Sequence, residues 1–334
     1  MKYILVFALA FVVSVVLTPL MINLGKNLKI FGRKADERWK SQPIPRIGGI
    51  AIFLGFIITV LIFVSMERDI IIFLLGSVVL FLLGLFDDKV GAIPSGKLLI
   101  QLVVVICLMI LGIRLKILNI YLAIPLSLIW YIMVINSFNL IDNMDGLSSG
   151  ITIIASLGFS ILAWEKGQNH MVFITLALAG ASAGFLIFNF NPAKIFMGDC
   201  GSLFIGYVLT TLPMLLFWQE STNVFPDLAA PVLILVYPIF DTIMVTILRL
   251  KAGSRPWIGG KDHSSHRLAI WKLGEVGAVF SAYLIGIIGC VSAYIILSVK
   301  PSFYIPLLIL LGVVALSFGM SISRIDISKY KSIH

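Results

Sequence analysis

Five short polar stretches interrupt an otherwise apolar chain, and their residue types suit phosphate chemistry. Leu85-Phe86-Asp87-Asp88 sets adjacent carboxylates at the end of an apolar run, where charge is costly and marks a functional candidate. Neighbouring positions on a helix point about 100° apart, so one aspartate can bind metal or act as base while the other orients it; capping, or pairing with Lys89, is the plainer alternative. Asn136, Asn139, Asp142 and Asp145 recur at every third position of 136–146. A short helical turn is expected to bring these two amides and two carboxylates near one face, a donor set that suits Mg²⁺, a nucleoside, or both.

The stretch 189–202 runs Asn-Phe-Asn-Pro-Ala-Lys-Ile-Phe-Met-Gly-Asp-Cys-Gly-Ser, with glycines around Asp199 and Ser202 where a helix should begin. Asp199 is a helix cap or a metal ligand, and the carboxylates elsewhere favour the ligand. A long polar loop over 255–268 holds His263 and His266 beside Lys261 and Arg267, a set better suited to a diphosphate than to zinc, for which no thiol or third histidine is near. Pro43-Ile44-Pro45-Arg46-Ile47-Gly48-Gly49 combines an extended approach with two glycines that admit backbone or ligand closely, and Lys40 and Arg46 suit a phosphate or lipid headgroup. No G-x-x-x-x-G-K-[ST] loop is present, so ATP-driven chemistry has no support.

These residues must be positioned by membrane helices. Of 334 residues 60% are hydrophobic and 12% charged, and the mean hydropathy is +1.07. Apolar runs at 3–25, 47–66, 69–86, 98–113, 117–135, 146–164, 171–190, 202–218, 228–248, 275–298 and 302–322 give about eleven transmembrane helices in one all-α polytopic domain over 1–334. The first run is too long for a cleaved signal and reads as a retained span. Placing the N-terminus outside puts nineteen of the 25 lysines and arginines in cytoplasmic segments, with the C-terminus cytoplasmic. The polar stretches, which played no part in that assignment, then all fall in or beside cytoplasmic loops, where the active site is expected. Cys107, Cys200 and Cys290 are too scattered for a disulfide framework or a paired metal site. The net charge of +9 fits positive loops against anionic lipid, and nucleic acid is not an expected partner.

In content and order these stretches resemble the polyprenyl-phosphate N-acetylhexosamine-1-phosphate transferases (glycosyltransferase family 4) from end to end, closest to the bacterial undecaprenyl-phosphate GlcNAc-1-phosphate transferase branch that starts O-antigen, enterobacterial common antigen or teichoic-acid linkage synthesis. The resemblance implies transfer of GlcNAc-1-phosphate from UDP-GlcNAc to undecaprenyl phosphate with release of UMP, in the cell inner membrane, by a homodimer. It implies Mg²⁺, with Mn²⁺ as substitute, on Asp199 with Asn139 as second ligand. Asp87 would deprotonate or position the lipid phosphate with Asp88 in support; Lys97, His263, His266 and Arg267 would contact phosphate; Asp142, Asp145, Asn189 and Phe196 would line the uridine and sugar pocket.

Two positions depart from the family pattern. Many relatives carry histidine-x-histidine-histidine where this chain has His263-Ser264-Ser265-His266, and Lys40 stands where histidine is common, so acid-base roles there are weakened. The alternatives are a phospho-MurNAc-pentapeptide transferase, whose branch has the triple-histidine run, and a non-catalytic polyprenyl-phosphate transporter. A transporter should hold polar groups near the bilayer midplane, and only Asp241 approaches that; about two turns before Arg249, it is expected to brace the cytoplasmic cavity instead.

Overall fold

The computed structural model describes residues 1–28, 30, 44–91, 93–218, 223–255 and 260–327. Among them the chain is helical, without strands: α1 (Lys2–Asn27), α2 (Gly49–Phe63), α3 (Arg68–Val90), α4 (Pro94–Ile110), α5 (Ile120–Ile141), α6 (Leu147–Glu165), α7 (Asn169–Asn189), α8 (Gly198–Leu216), α9 (Val224–Ile234), α10 (Val236–Lys251), α11 (Ser264–Leu268), α12 (Gly274–Ser298) and α13 (Pro301–Ser323). A kink over Ala269–Leu273, where Trp271 (ψ 36°) and Lys272 (φ 72°) leave helical geometry, joins α11 to α12. In a bilayer such segments must satisfy their backbone internally, which the helix does. Among the described residues eight helical stretches are long and apolar enough to cross a membrane, or up to nine if the bent pair α9 and α10 is one span. Helices α2 and α4 are apolar but shorter, with 15 and 17 residues. The chain is a multi-pass helical membrane protein.

Every apolar run of the sequence coincides with helix, but the run 228–248 is two helices bent by 77°. Pro238 supplies the reason: it has no N–H to give the Ile234 carbonyl, and its ring crowds that turn. The centre of the bundle is α8, buried at every residue from Cys200 to Met214 and packed mainly on α3 and α5. At the rim, α13 buries only Tyr304 and Ile322. Small residues explain the central position. Gly206 lies so close to the Ile135 backbone of α5 that an added methyl group would be 2.9 Å from its carbonyl oxygen.

The C-terminal ends of α3, α5, α7 and α10 meet the N-terminal ends of α2, α4, α6, α8 and α11 at one end of the bundle. The C-terminal end of α13 joins them, where the Ser323 and Ile325 carbonyls accept from Arg267. The described residues of all five polar stretches are at that end.

Candidate active site

The chemical centre is a cluster of carboxylates, amides and one ammonium drawn from four helices. Lys97, in the first turn of α4, donates from Nζ to Asp87 Oδ2 of α3 at 3.1 Å and to Asp199 Oδ2 of α8. Asn139, near the end of α5, donates from Nδ2 to Asp199 Oδ1 at 3.1 Å and to Ser202 Oγ at 2.9 Å. Asp199 thus takes an ammonium on one oxygen and an amide on the other. Its side chain keeps 20% of its exposure, Asp87 15% and Lys97 13%, so the cluster is sheltered yet reachable. Arg46 acts electrostatically on Asp88 and Asp199, and its Nε is buried without a hydrogen-bond partner.

Asp88 has a different task from its neighbour. Both its oxygens accept backbone N–H bonds, from Asp199 at 2.8 Å and Cys200 at 2.9 Å, so a side chain of α3 caps the start of α8. On the other side, residues 45–49 run along 196–197: Phe196 N–H donates to Pro45 O at 2.8 Å, and the Gly48 and Gly49 N–H groups to the Phe196 and Met197 carbonyls at 3.0 and 2.8 Å. Two glycines make this convergence feasible. Gly198 has φ +75°, and a side chain on Gly84 of α3 would collide with the Asp199 carbonyl. Gly84→Ala is therefore expected to push α8 off α3, costing about 1–3 kcal/mol of stability and roughly 10²-fold in turnover. Thermal unfolding in detergent beside product formation measures both, and an unaffected turnover would disprove the tight seating.

The four residues spaced by three do not share a face. Helix α5 runs on to Ile141 and Asp142 leaves it at ψ 47°, so the spacing stops meaning periodicity there. Asn136 pairs with Gln101 and Asn139 with Asp199, while Asp142 is buried at the helix end. Asp145 accepts from the Ala193 N–H at 2.9 Å. Asn189 ties two loops together, accepting from the Gly146 N–H and Ser149 Oγ and donating to the Ile195 carbonyl. Phe196 is buried beside it at 6% exposure.

The histidine loop is anchored from beneath. Asp241 of α10, fully buried, bonds His263 Nδ1 at 2.7 Å through one oxygen and the Ser264 N–H and Oγ through the other, the bracing role expected of it. Arg249 grips Asp262 through two parallel bonds of 2.8 and 2.7 Å. Burial raises the Asp262 carboxyl, but the Arg249 bonds and charge outweigh it and hold the group below its ordinary value. Ser265 Oγ donates to Asn143 Oδ1 at 3.0 Å, linking this loop to the end of α5. His266 is buried at its side, 5.8 Å from His263 between ring centres. Arg267 points elsewhere, to the carbonyls of Asp262, Ser323 and Ile325. Lys40 lies outside the described residues.

The structure therefore brings Asp87, Lys97, Asn139 and Asp199 into direct contact with Asp88 behind them, and places Asp145, Asn189 at the end of α7, and the histidines at the start of α11 around them. Sequence reasoning missed Gln101, Asn143 and Tyr283, whose hydroxyl donates to the Gly146 carbonyl at 2.6 Å. A glutamine inside an apolar span was a readable signal; a tyrosine there was not. A cavity of about 540 Å³ between Glu165, Asp227, Tyr294 and Lys300 lies at the other end of α6 and touches none of the predicted residues.

The two carboxylates offer oxygen donors alone, which fits a hard cation such as Mg²⁺, held by one or two carboxylates with water and substrate phosphates completing its shell, whereas Asn139 turns its Nδ2 to Asp199 and would have to rotate its amide to add an oxygen. Among the described residues no three His, Cys, Asp or Glu side chains gather as a ready-made cage. Lys97 supplies the compensating charge between the carboxylates.

Apolar helices carry this cluster at one end of a membrane protein, and residues 70–217 match glycosyl transferase family 4, which makes the protein a membrane-embedded transferase. The chain belongs to that family. It is 31% identical over 304 residues to a probable undecaprenyl-phosphate N-acetylglucosaminyl 1-phosphate transferase of Bacillus subtilis, covering 86% of this chain and 84% of the relative. It is 30% identical over 316 residues to a phospho-N-acetylmuramoyl-pentapeptide-transferase of Staphylococcus aureus, covering 84% and 96%. The corresponding protein of Bacillus mycoides is 34% identical over 237 residues, covering 62% and 73%.

Proposed function

We propose that this transferase moves GlcNAc-1-phosphate from UDP-GlcNAc to undecaprenyl phosphate, giving undecaprenyl-diphospho-GlcNAc and UMP, as the first membrane step of a surface glycan such as a lipopolysaccharide or teichoic-acid linkage. The single observation carrying the reading is the Asp87–Lys97–Asp199–Asn139 cluster at the end of an apolar bundle, where a lipid phosphate and a soluble nucleotide can meet. The Bacillus subtilis relative, matched over most of both chains, supports the sugar and the lipid. In this reading there are eleven spans, with α2 and α4 crossing and α9 with α10 counted once, the N-terminus is outside and the cluster is on the cytoplasmic side of the inner membrane, a topology supported by the lysine and arginine distribution. The working unit is a homodimer.

Asp199 and Asn139, with Asp87 adjacent, would hold Mg²⁺. With that ion bound, or Mn²⁺ in its place, diphosphate charge would be neutralised and UMP would be a better leaving group. Asp87 takes the proton of the lipid phosphate or aligns its oxygen. That oxygen attacks the β-phosphorus of UDP-GlcNAc, the bond from β-phosphorus to the bridging oxygen breaks, and UMP leaves. Lys97 and Arg46 stabilise the phosphate charge, and His263 and His266 face the diphosphate from the neighbouring loop. Asp145, Asn189 and Phe196 shape the uridine and sugar pocket, with Asp142 beside them. One displacement suffices, because exchanging one phosphoanhydride for another needs positioning and charge neutralisation more than a covalent relay.

The Staphylococcus aureus relative gives substance to a second reading, phospho-MurNAc-pentapeptide transfer, against which stands Ser265 in place of an imidazole. Purified protein incubated with undecaprenyl phosphate, Mg²⁺ and a panel of UDP-sugars decides between them. UMP release with UDP-GlcNAc is expected; release with UDP-MurNAc-pentapeptide alone selects the second reading, and none with any sugar rejects both.

A further inference from the structure

If the cluster works as proposed, Lys97 must reach two carboxylates at once, yet the helix that carries it has little to hold it there. Across residues 94–104 of α4 one side chain is fully buried, Gln101, with no solvent exposure; the others are exposed or only partly buried. Gln101 lies one turn beyond Lys97 on the same face. Its Oε1 accepts from Nδ2 of Asn136 on α5 at 2.8 Å, and the same nitrogen donates to the Ile132 carbonyl at 2.8 Å. Asn136 is in turn three residues before Asn139. The two helices are thus joined by two successive rungs, Gln101 to Asn136, then Lys97 and Asn139 through Asp199.

A leucine would suit this depth in the bundle better than an amide. Gln101 also carries a penalty, because its Nε2 is buried without a hydrogen-bond partner. We infer that Gln101 and Asn136 are a positioning pair, fixing the rotation of α4 about its axis so that Lys97 meets Asp87 and Asp199 together. Neither touches the reacting atoms. The pair acts through Lys97, and its loss affects the chemical step rather than substrate capture. This inference rests on the proposed transferase reading for its kinetics, but the placement of Lys97 can be measured without turnover.

The test uses the full-length protein in native-membrane vesicles. Gln101→Met and Asn136→Leu are each expected to lower kcat by about 10- to 100-fold with KM for UDP-GlcNAc within roughly threefold of wild type. The double variant is expected to be no worse than the poorer single one. The exchange Gln101→Asn with Asn136→Gln keeps the combined side-chain length and is expected to restore most of the rate, which a loss of general packing would not allow. Independently of activity, an amine-reactive reagent followed by mass spectrometry is expected to label Lys97 at least about tenfold faster in Gln101→Met, as the ammonium leaves its carboxylates. A normal kcat in both single variants, a loss confined to KM, or unchanged Lys97 labelling overturns the inference. A wild type that releases no UMP but shows the labelling difference rejects the transferase reading and keeps the pair.

Discussion

Asp199→Ala is expected to lower turnover by on the order of 10³-fold or more while the protein still folds. The carboxylate is the junction of the cluster, taking Lys97 on one oxygen and Asn139 on the other. Alanine removes both attachments and the carboxylate proposed as the principal oxygen donor for a divalent cation. It leaves the start of α8 intact, because the bond to Asp88 comes from the residue 199 backbone N–H, which every residue but proline supplies. Lys97 keeps Asp87, and Asn139 keeps Ser202, so no buried polar group is stranded. Product formation and thermal unfolding should therefore separate, with activity lost and the melting temperature within a few degrees of wild type. Activity within tenfold of wild type would remove Asp199 from the centre of the site.

Lys97→Met should move two properties in opposite directions. Turnover is expected to fall by about 10²-fold, since a preorganised positive charge disappears from the place where phosphate charge must be stabilised. Affinity for a divalent cation is expected to rise by about tenfold, because the ammonium between Asp87 and Asp199 competes with any cation for the same oxygens. Mn²⁺ binding followed by electron paramagnetic resonance, without substrate, reads the second effect directly. Weaker Mn²⁺ binding in the variant would show that Lys97 helps to build the cation site rather than compete for it. Methionine nearly preserves the length and apolar stem, so a folding defect is not the expected cause of either change.

Most of the architecture could be read from hydropathy, and the site from the residues that hydropathy excludes. Helix α4 starts at Pro94 rather than 98, α5 runs to Ile141 rather than 135, and α8 starts at Gly198 rather than 202. In each case the apolar run stopped short of the polar group, so Lys97, Asn139 and Asp199, assigned to loops or their edges, are on rigid helix ends. That fixes their geometry more firmly than loops would. The 77° bend between α9 and α10 left no trace in hydropathy, which measures composition and not direction; Pro231 and Pro238 were its signal. Long-range pairings were out of reach. Nothing in the sequence says that Asp88 would cap a helix 111 residues away. Nor does it say that Arg267 would turn to the carbonyls at the end of α13. Asp241 was legible because a lone acid in an apolar run has few roles.

The two shortest apolar helices reach further than their size suggests. With 15 and 17 residues, α2 and α4 rise only about 22 and 25 Å, against a hydrocarbon layer of ~30 Å. Both begin at the end of the bundle that holds the cluster. If both cross the bilayer, as the proposed eleven-span topology has them, hydrophobic mismatch of this kind would draw the headgroup plane inward beside them, at a cost of fractions of a kcal/mol per Å. On the proposed reading, a lipid phosphate would then travel that much less to reach Lys97, and the thickness of the surrounding bilayer would become part of how the active centre is built.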